Sequence, residues 1–318
     1  MAPLIDIFRA LADPTRLRIM ALLRAMELSV GELAQVLGQS QPRVSRHVKI
    51  LTDAGLADRR KEGAWVFVGL GNRAAVEPLL AAADAWGPAV DLEAAADLER
   101  LAAVRADRVV AAEAWFADHA VQWDAIRSLH VAESDVEAAT VAVLAGASLG
   151  RLVDIGTGTG RMIELLAPYA ERVLGIDRSP EMLRMARSKL SDAGLGAIEL
   201  RQGDMYALPL LRESADTAIL HQVLHYAQQP AAAIAEAARL LVPGGRLLIV
   251  DFARHDREEL RADAAHVRLG FDDAQLTTWY DEAGLALDAV RELAGATLTV
   301  KLWLGRKGPD ARTERIAA

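Results

Sequence analysis

From Gly150 onward the chain alternates short apolar runs with helical stretches, and that alternation narrows the fold more than any other feature. LVDIG reads as a buried strand followed by a helix to about Ala170, and VLGID as a second strand followed by a helix from Pro180 to Ala193. IELRQGD, TAILHQV and RLLIVDF are further strands. Strands separated by helices need crossovers, which build a mostly parallel α/β sheet with helices on both faces. TLTVKLWLG alternates apolar and polar positions and is expected as an edge or antiparallel strand.

The first 70 residues follow a different pattern and predict a small α+β domain. Leu4, Ile7, Phe8, Leu11, Leu17, Ile19, Met20 and Leu23 have helical spacing, interrupted at Asp13-Pro14, where a second helix can start. A short helix from Val30 to Leu37 stops at Gly38. Ser40 can cap the next helix, from about Gln41 to Ala54, which Gly55 ends. Ala57–Leu70 reads as two strands around Glu62-Gly63. Residues 74 to about 147 are alanine-rich and expected to be almost wholly helical, broken once at Gly87-Pro88. The expected division is 1–73 for the small domain and 74–112 for a helical connector. Residues 113–307 follow as the α/β domain, and 308–318 as a flexible polar tail.

At 318 residues, with 52% hydrophobic and 25% charged residues, the chain has apolar material for two cores. No stretch approaches the roughly 20 apolar residues that span a bilayer. MAPLIDIFRALADPTR is amphipathic and charged early, so it is not read as a signal peptide, and the cytoplasm is the expected compartment. The absence of cysteine excludes disulfides, thiolate metal sites and cysteine nucleophiles. The net charge of −8 is divided unevenly: residues 1–73 carry +4 and the remainder −12. A basic head on an acidic body points to the head as the part that meets a polyanion.

Within that head, ELAQVLGQSQPRVSRHVKILTDAGL reads as helix, tight turn and second helix, the arrangement that lays its second helix in the DNA major groove. Gln41, Arg43, Ser45, Arg46, His47 and Lys49 would face outward, with amide, hydroxyl and guanidinium groups suited to base edges and phosphates. Val44, Val48 and Leu51 would face the core. Arg59, Arg60 and Lys61 fall on the hairpin, where a wing would reach a phosphate or the minor groove. FRALADPTRLRIMALL and the following ELSVGELAQVLGQSQPRVSRHVKILTDAGLADRRKEGAWVFVGL resemble the ArsR-type winged helix-turn-helix over essentially its whole length. The resemblance implies a homodimer held by the first and last helices of the domain, inverted-repeat operator DNA, and repression relieved by an effector. Many members sense metals through a cysteine pair in an ELCVCDL stretch. Here that stretch is ELSVGEL, with Ser29 and Gly31, and Val76–Trp86 has no histidine, so no metal site is expected.

In the body, LVDIGTGTGRM places Gly156, Gly158 and Gly160 between a strand and a helix, where the backbone can turn sharply and a ligand can approach the main chain and the helix N-terminus. Nicotinamide, flavin and S-adenosylmethionine (SAM) folds all have such a turn. The dinucleotide fingerprint G-x-G-x-x-G would need glycine at 161, where Arg161 stands. Asp154 is placed to meet an amino acid ammonium. Asp177, at the end of GID, is placed to accept from two ribose hydroxyls, and Asp204 from an adenine amino group, with Met205 against the ring. Residues from about Trp115 to Lys307 resemble the Rossmann-type SAM-dependent methyltransferases of ubiquinone/menaquinone biosynthesis. DIGTGTGRM, GIDRSPEML, GDMYALPL and ARLLVPGGRLLIVDF match in order and spacing. On those motifs the resemblance implies SAM or S-adenosylhomocysteine (SAH) at Asp154, Ile155, Gly156, Gly158, Asp177, Arg178, Met182, Gly203, Asp204, Met205 and His221. WFADHAVQWDAI resembles the helix that closes over SAM, which would bring Phe116 and Trp123 to the ligand.

ILHQVLHYAQQP should line the methyl end, with His221, His225 and Tyr226 as catalytic candidates. The segment after the fourth strand lacks the [ND]-P-P-[YF] motif of DNA amino-methyltransferases. Cytosine C5 and arsenite methylation need the cysteine this chain does not have. Two functions remain. In one the body is a SAM or SAH sensor for a DNA-binding repressor, similar to repressors of methionine and SAM-cycle genes. In the other the body is an active methyltransferase for a small molecule. A full ligand site without an evident catalytic constellation favours the sensor.

Overall fold

The computed structural model describes residues 4–62, 64–86, 93, 95–104, 106, 132–144 and 146–308. The chain divides into two compact units, Met1–Ala111 and Ala112–Ala318. The segment holding Phe116 and Trp123, and the tail beyond Gly308, lie outside the described residues.

In the first unit α1 (Leu4–Leu11) and α2 (Pro14–Ala25) part at Asp13. Its carboxylate accepts the Arg16 N–H at 3.0 Å, while Pro14 fills the first helical position. After β1 (Leu28–Ser29), α3 (Val30–Leu37) opens on a reciprocal cap between Ser29 and Glu32 and ends on Gly38 at φ +63°. Then follows α4 (Gln41–Asp53). Ser40 holds its N-cap position, but its side chain makes no capping hydrogen bond. β2 (Ala57–Glu62) and β3 (Trp65–Leu70) form the expected hairpin, and β1 adds to the other side of β3. Ile19, Met20, Leu33, Val36, Val44, Val48 and Leu51 are wholly buried and make the core between the helices and the hairpin. α5 (Arg73–Trp86) closes the winged helix. Residues 95–104 are helical, and Leu101 and Val104 join the same core.

Among the described residues the second unit opens with α6 (Glu133–Leu144), and it is organised on a seven-stranded sheet. In chain order its elements are β4 (Arg151–Ile155), α7 (Arg161–Leu166), β5 (Arg172–Asp177), α8 (Pro180–Asp192) and β6 (Glu199–Gln202). They continue with β7 (Ala215–His221), α9 (Pro230–Leu240), β8 (Leu241–Phe252), α10 (Glu259–Asp263), α11 (Asp273–Glu282), β9 (Leu285–Ala294) and β10 (Thr299–Lys307). Across the sheet the order is β6-β5-β4-β7-β8-β10-β9, with β4 to β8 parallel and β10 antiparallel to both neighbours.

TLTVKLWLG is thus antiparallel but not at the edge. Trp303 is wholly buried, and the edge strand is β9, LALDAVRELA, whose alanine, leucine and glutamate content does not read as strand. Tertiary pairing overrides that weak propensity. The direction of winding reverses between β4 and β7, and the crevice at their carboxyl ends is where an open parallel sheet binds its ligand.

Candidate functional site

Two groups of residues emerge, one on each unit. On α4, Val44, Val48 and Leu51 face inward as the spacing predicts, and Gln41, Arg43, Ser45, Arg46 and Lys49 are exposed. Lys49 folds along the helix to Asp53 at 2.8 Å. His47 is turned toward the N-cap of α2, its Nδ1 3.7 Å from Asp13 Oδ1. Burial and the charges of Arg16, Arg43 and Arg46 hold its pKa below the usual histidine value, against the upward pull of Asp13.

On the hairpin, Arg59 and Lys61 are exposed, whereas Arg60 is half-buried: it donates to Glu27 at 3.0 Å, and its guanidinium lies 6.0 Å from the Phe67 ring centre. Residues 59 and 61 share one face of β2 and residue 60 takes the other, so in this structure the three cations do not form one outward run.

The crevice of the body is built by backbone hooks. Gly156, Gly158 and Gly160 have φ of +73°, +53° and +84°. Gly156 and Thr157 donate their N–H groups to the Ile176 carbonyl at 2.7 and 2.9 Å, bending the turn over β5. A Cβ on Gly156 would stand 2.5 Å from Val223 Cγ2, so this turn and the segment after β7 are in contact. Asp154, expected to meet an ammonium, is buried inside the turn and accepts from Thr157 Oγ1 at 2.5 Å. Ile155 beside it is core. Arg161, at the position of the missing third glycine, is fastened to Glu137 of α6 at 2.6 and 2.9 Å.

Asp177 ends β5 and accepts from the Gly158 N–H at 2.7 Å and the Ser179 N–H at 2.8 Å. Burial pushes its pKa up, and these amides pull it back. The Gly203 N–H bonds the Asp177 carbonyl at 3.0 Å. A Cβ on Gly203 would press on Ile176 and Pro209 at 2.9 and 3.0 Å. Asp204 accepts from the Tyr206 N–H at 3.0 Å and lies 3.8 Å from Arg178, while Met205 packs at the edge of the core and Met182 is buried on α8. The structure therefore brings together Asp154, Gly156, Gly158, Asp177, Gly203 and Asp204 at the carboxyl ends of β4, β5 and β6.

Beyond β7 the chain carries a strained residue. Gln222 has φ +49° and donates its N–H to the Val250 carbonyl at 2.7 Å. Left-handed backbone at a non-glycine residue costs free energy and tends to be kept where geometry matters. His221 ends β7 and is buried. His225, in a 3-10 turn over Leu224–Tyr226, places Nδ1 2.8 Å from Asp251 Oδ1. Asp251 also accepts the His225 N–H at 3.2 Å and the Phe252 N–H at 2.7 Å. The Tyr226 ring lies tilted at 4.0 Å from the His225 ring, and burial holds its phenol pKa well above the usual value, so it keeps its proton at neutral pH. Sequence pattern did not single out Asp251. The signal available for it is an acid at the end of the apolar run LLIVD, next in the sheet to β7, which His221 ends and His225 follows.

Residues 13–59 match the bacterial regulatory protein arsR family, and residues 153–249 match the methyltransferase domain family. A 37.1 kDa protein in transposon TN4556 of Streptomyces fradiae is 37% identical over 155 residues, covering 43% of this chain and 44% of that protein. The ubiquinone/menaquinone biosynthesis C-methyltransferase of Syntrophotalea carbinolica is 42% identical over 119 residues, 36% of this chain and 49% of that one. The arsenical resistance operon repressor of Escherichia coli is 49% identical over 63 residues, 20% of this chain and 54% of the repressor. The chain thus spans about half the length of these curated relatives. Among solved structures, a chain of the complex between the Haloferax volcanii Trm112 methyltransferase activator and a methyltransferase superposes with a TM-score of 0.51 at 21% identity. It covers 61% of this chain and 97% of that one, a likeness of fold alone. The protein carries an arsR-family helix-turn-helix in its first unit and a methyltransferase domain of Rossmann-like fold in its second.

Proposed function

We propose that the chain is a DNA-binding transcriptional repressor whose methyltransferase domain takes SAM or SAH as its effector, in control of methionine and SAM-cycle genes in the cytoplasm. The observation that carries the coupling is the fastening of residues 95–104, on the stretch that leads to the body, to the helix-turn-helix. Asp97, 2% exposed, receives Arg18 of α2 and Arg100, and Arg100 Nε donates to the Val36 carbonyl of α3 at 2.6 Å. A shift of this helix would press directly on the helix that supports α4.

The crevice fits SAM on features of this chain. Three glycines in positive φ leave the main chain bare, and carboxylates end three successive strands. The Asp177 carboxylate has acceptor capacity beyond its two amide donors. When bound, SAM would supply an electrophilic methyl group on sulfur. The residues would hold its amino acid, ribose and adenine parts.

A homodimer on an inverted repeat is supported by α1. Leu4, Ile5 and Phe8 are 64%, 57% and 51% exposed on a helix whose other face is core, and a second copy of the same helix is the partner that would cover them. The cysteine-free chain cannot capture arsenite through thiolates, so the effector is assigned to the body.

The test uses a DNA duplex selected from a random library by the purified full chain. Its affinity is measured alone and with saturating SAM or SAH. A shift with either ligand supports the proposal, and equal affinities with calorimetrically proven ligand binding overturn it.

A further inference from the structure

The buried pair His225–Asp251 lies in the second unit, and the proposed effector site does not use it. Asp251 takes the hydrogen bond at Nδ1, which sets the proton on that nitrogen and leaves the lone pair on Nε2. The His225 side chain is 2% exposed, and Nε2 has no hydrogen-bond partner among the described residues. A buried polar atom without a partner is unfavourable and calls for an explanation such as catalysis. The carboxylate is itself immobilised by the backbone N–H groups of His225 and Phe252, and the N–H groups of Val267 and Arg268 hold the His225 carbonyl at 3.1 and 2.9 Å. The imidazole is therefore fixed in place and in tautomer.

Its position is also informative. Val223, two residues before it, is the side chain that lies against Gly156 of the proposed SAM turn. The neighbours of the imidazole are rings: Tyr226 at 4.0 Å, His266 at 4.2 Å and Phe252 at 5.1 Å from the His225 ring, with His255 6.3 Å beyond His266. The titratable groups facing the imidazole are Asp251, Tyr226 and His266.

We infer that His225 is the catalytic base, and Asp251 its positioning residue, for methyl transfer from SAM to a hydroxyl on a planar ring, a phenol or an enol. An oxygen acceptor of this kind must lose a proton as it is methylated, and its hydroxyl is acidic enough to give that proton to an imidazole. The acceptor oxygen forms a bond to the methyl carbon as the carbon–sulfur bond breaks. Sulfur keeps that electron pair and leaves as neutral SAH. The hydroxyl proton passes to Nε2, and the resulting imidazolium is held by the Asp251 carboxylate. No cysteine and no second co-reactant is required.

The inference rests on the proposed SAM site, and the experiment separates the two. The full chain is first titrated with SAM and SAH by calorimetry. Absence of binding overturns both the effector reading and this one.

The SAH-loaded protein is then mixed with 4-nitrocatechol, whose phenolate and phenol differ in colour, at a pH where the free probe is protonated. Wild type should bind the probe and shift its absorption to that of the phenolate. His225→Gln should bind SAH normally and show no shift, and Asp251→Asn should need a higher pH for the same shift. With SAM, methylated probe and SAH should form in equal amounts. His225→Ala should lose about 10²–10⁴-fold in kcat, with partial recovery on adding free imidazole, a rescue that a purely structural histidine would not give. Absence of probe binding, binding without the shift, or an equal shift in His225→Gln overturns the inference while leaving the effector reading intact.

Discussion

Arg18 and Asp97 meet through two parallel hydrogen bonds, Nε to Oδ2 at 2.6 Å and Nη2 to Oδ1 at 2.7 Å, across 79 residues of sequence. Asp97 is almost wholly buried, and Arg100 adds a third donor at 2.5 Å. Burial raises the Asp97 pKa, but the hydrogen bonds and charges of the two arginines outweigh it, and the net shift is downward. A carboxyl with a depressed folded pKa contributes stability above its unfolded value of about 3.9, and that contribution is lost as pH falls through the folded value. Asp97→Ala leaves two guanidinium groups facing a buried gap and should cost about 3 kcal/mol of stability in the first unit. Asp97→Asn should cost less. Denaturant titrations of wild type and Asp97→Asn at pH 7 and near pH 3 check the sign: the gap between them should narrow in acid.

On the proposed DNA face, exposed cations are expected to contact DNA, while Arg60 braces the fold. Arg43→Ala and Arg46→Ala, both exposed on α4, should each weaken operator binding by about 1–3 kcal/mol where a base is contacted, with the melting temperature unchanged. Arg59→Ala and Lys61→Ala should each reduce the salt dependence of binding by about one unit of slope. Arg60→Ala should act through stability, because its guanidinium is held by Glu27 and Phe67. Binding isotherms at several salt concentrations distinguish the three behaviours. A loss of salt slope in Arg60→Ala would mean that this side chain swings out to a phosphate on binding.

Much of this was legible from local pattern. Val44, Val48 and Leu51 form a buried row because their spacing suits one helix face, Asp154 and Asp177 stand out as acids at the ends of apolar strands, and Asp204 follows the short strand β6. What stayed hidden depends on distant partners. ADRRKE has no apolar alternation, so which of Arg59, Arg60 and Lys61 turns inward is decided by Phe67 and Glu27 elsewhere in the fold. β9 is composed of helix-forming residues and becomes a strand through pairing with β10. Asp251 looks like the end of a core strand until the turn after β7 delivers His225 to it, and Asp97 looks like a solvated helix acid until Arg18 is beside it.

The glycine turn offers a clean comparison between backbone strain and steric contact. Gly194 has φ +75°, and a methyl group added there would meet nothing within 4 Å, so Gly194→Ala should cost only the left-handed backbone term of about 1 kcal/mol. Gly156 has nearly the same φ of +73°, but its methyl would meet Val223 Cγ2 at 2.5 Å. Gly156→Ala should therefore cost more stability than Gly194→Ala and lower SAM affinity at least about 10-fold, a loss worth about 1.4 kcal/mol. Thermal melts with and without SAM measure both quantities. Equal melting temperatures and equal SAM affinities for the two variants would show that Val223 yields and that the turn is not a close-approach site.

Coupling between the units can be dissected with two substitutions. A ligand shifts operator affinity only through a difference in its affinity for the DNA-competent and DNA-incompetent states of the protein. Asp177→Ala removes a carboxylate of the proposed SAM site at the end of β5, far in sequence from the proposed DNA contacts, so it should weaken SAH binding and leave ligand-free operator affinity unchanged. Asp97→Asn should keep SAH binding but reduce the response, since it loosens residues 95–104 from Arg18. In wild type the expected shift is about 5–150-fold, corresponding to about 1–3 kcal/mol. SAH is the proposed signal because its accumulation reports stalled methyl metabolism and calls for its removal. Arsenite, cadmium and zinc at stoichiometric levels should not release operator DNA from a chain with no cysteine. A full SAH response in Asp97→Asn would move the coupling path away from the Arg18 contact. A saturable metal response would move the effector site out of the methyltransferase domain altogether.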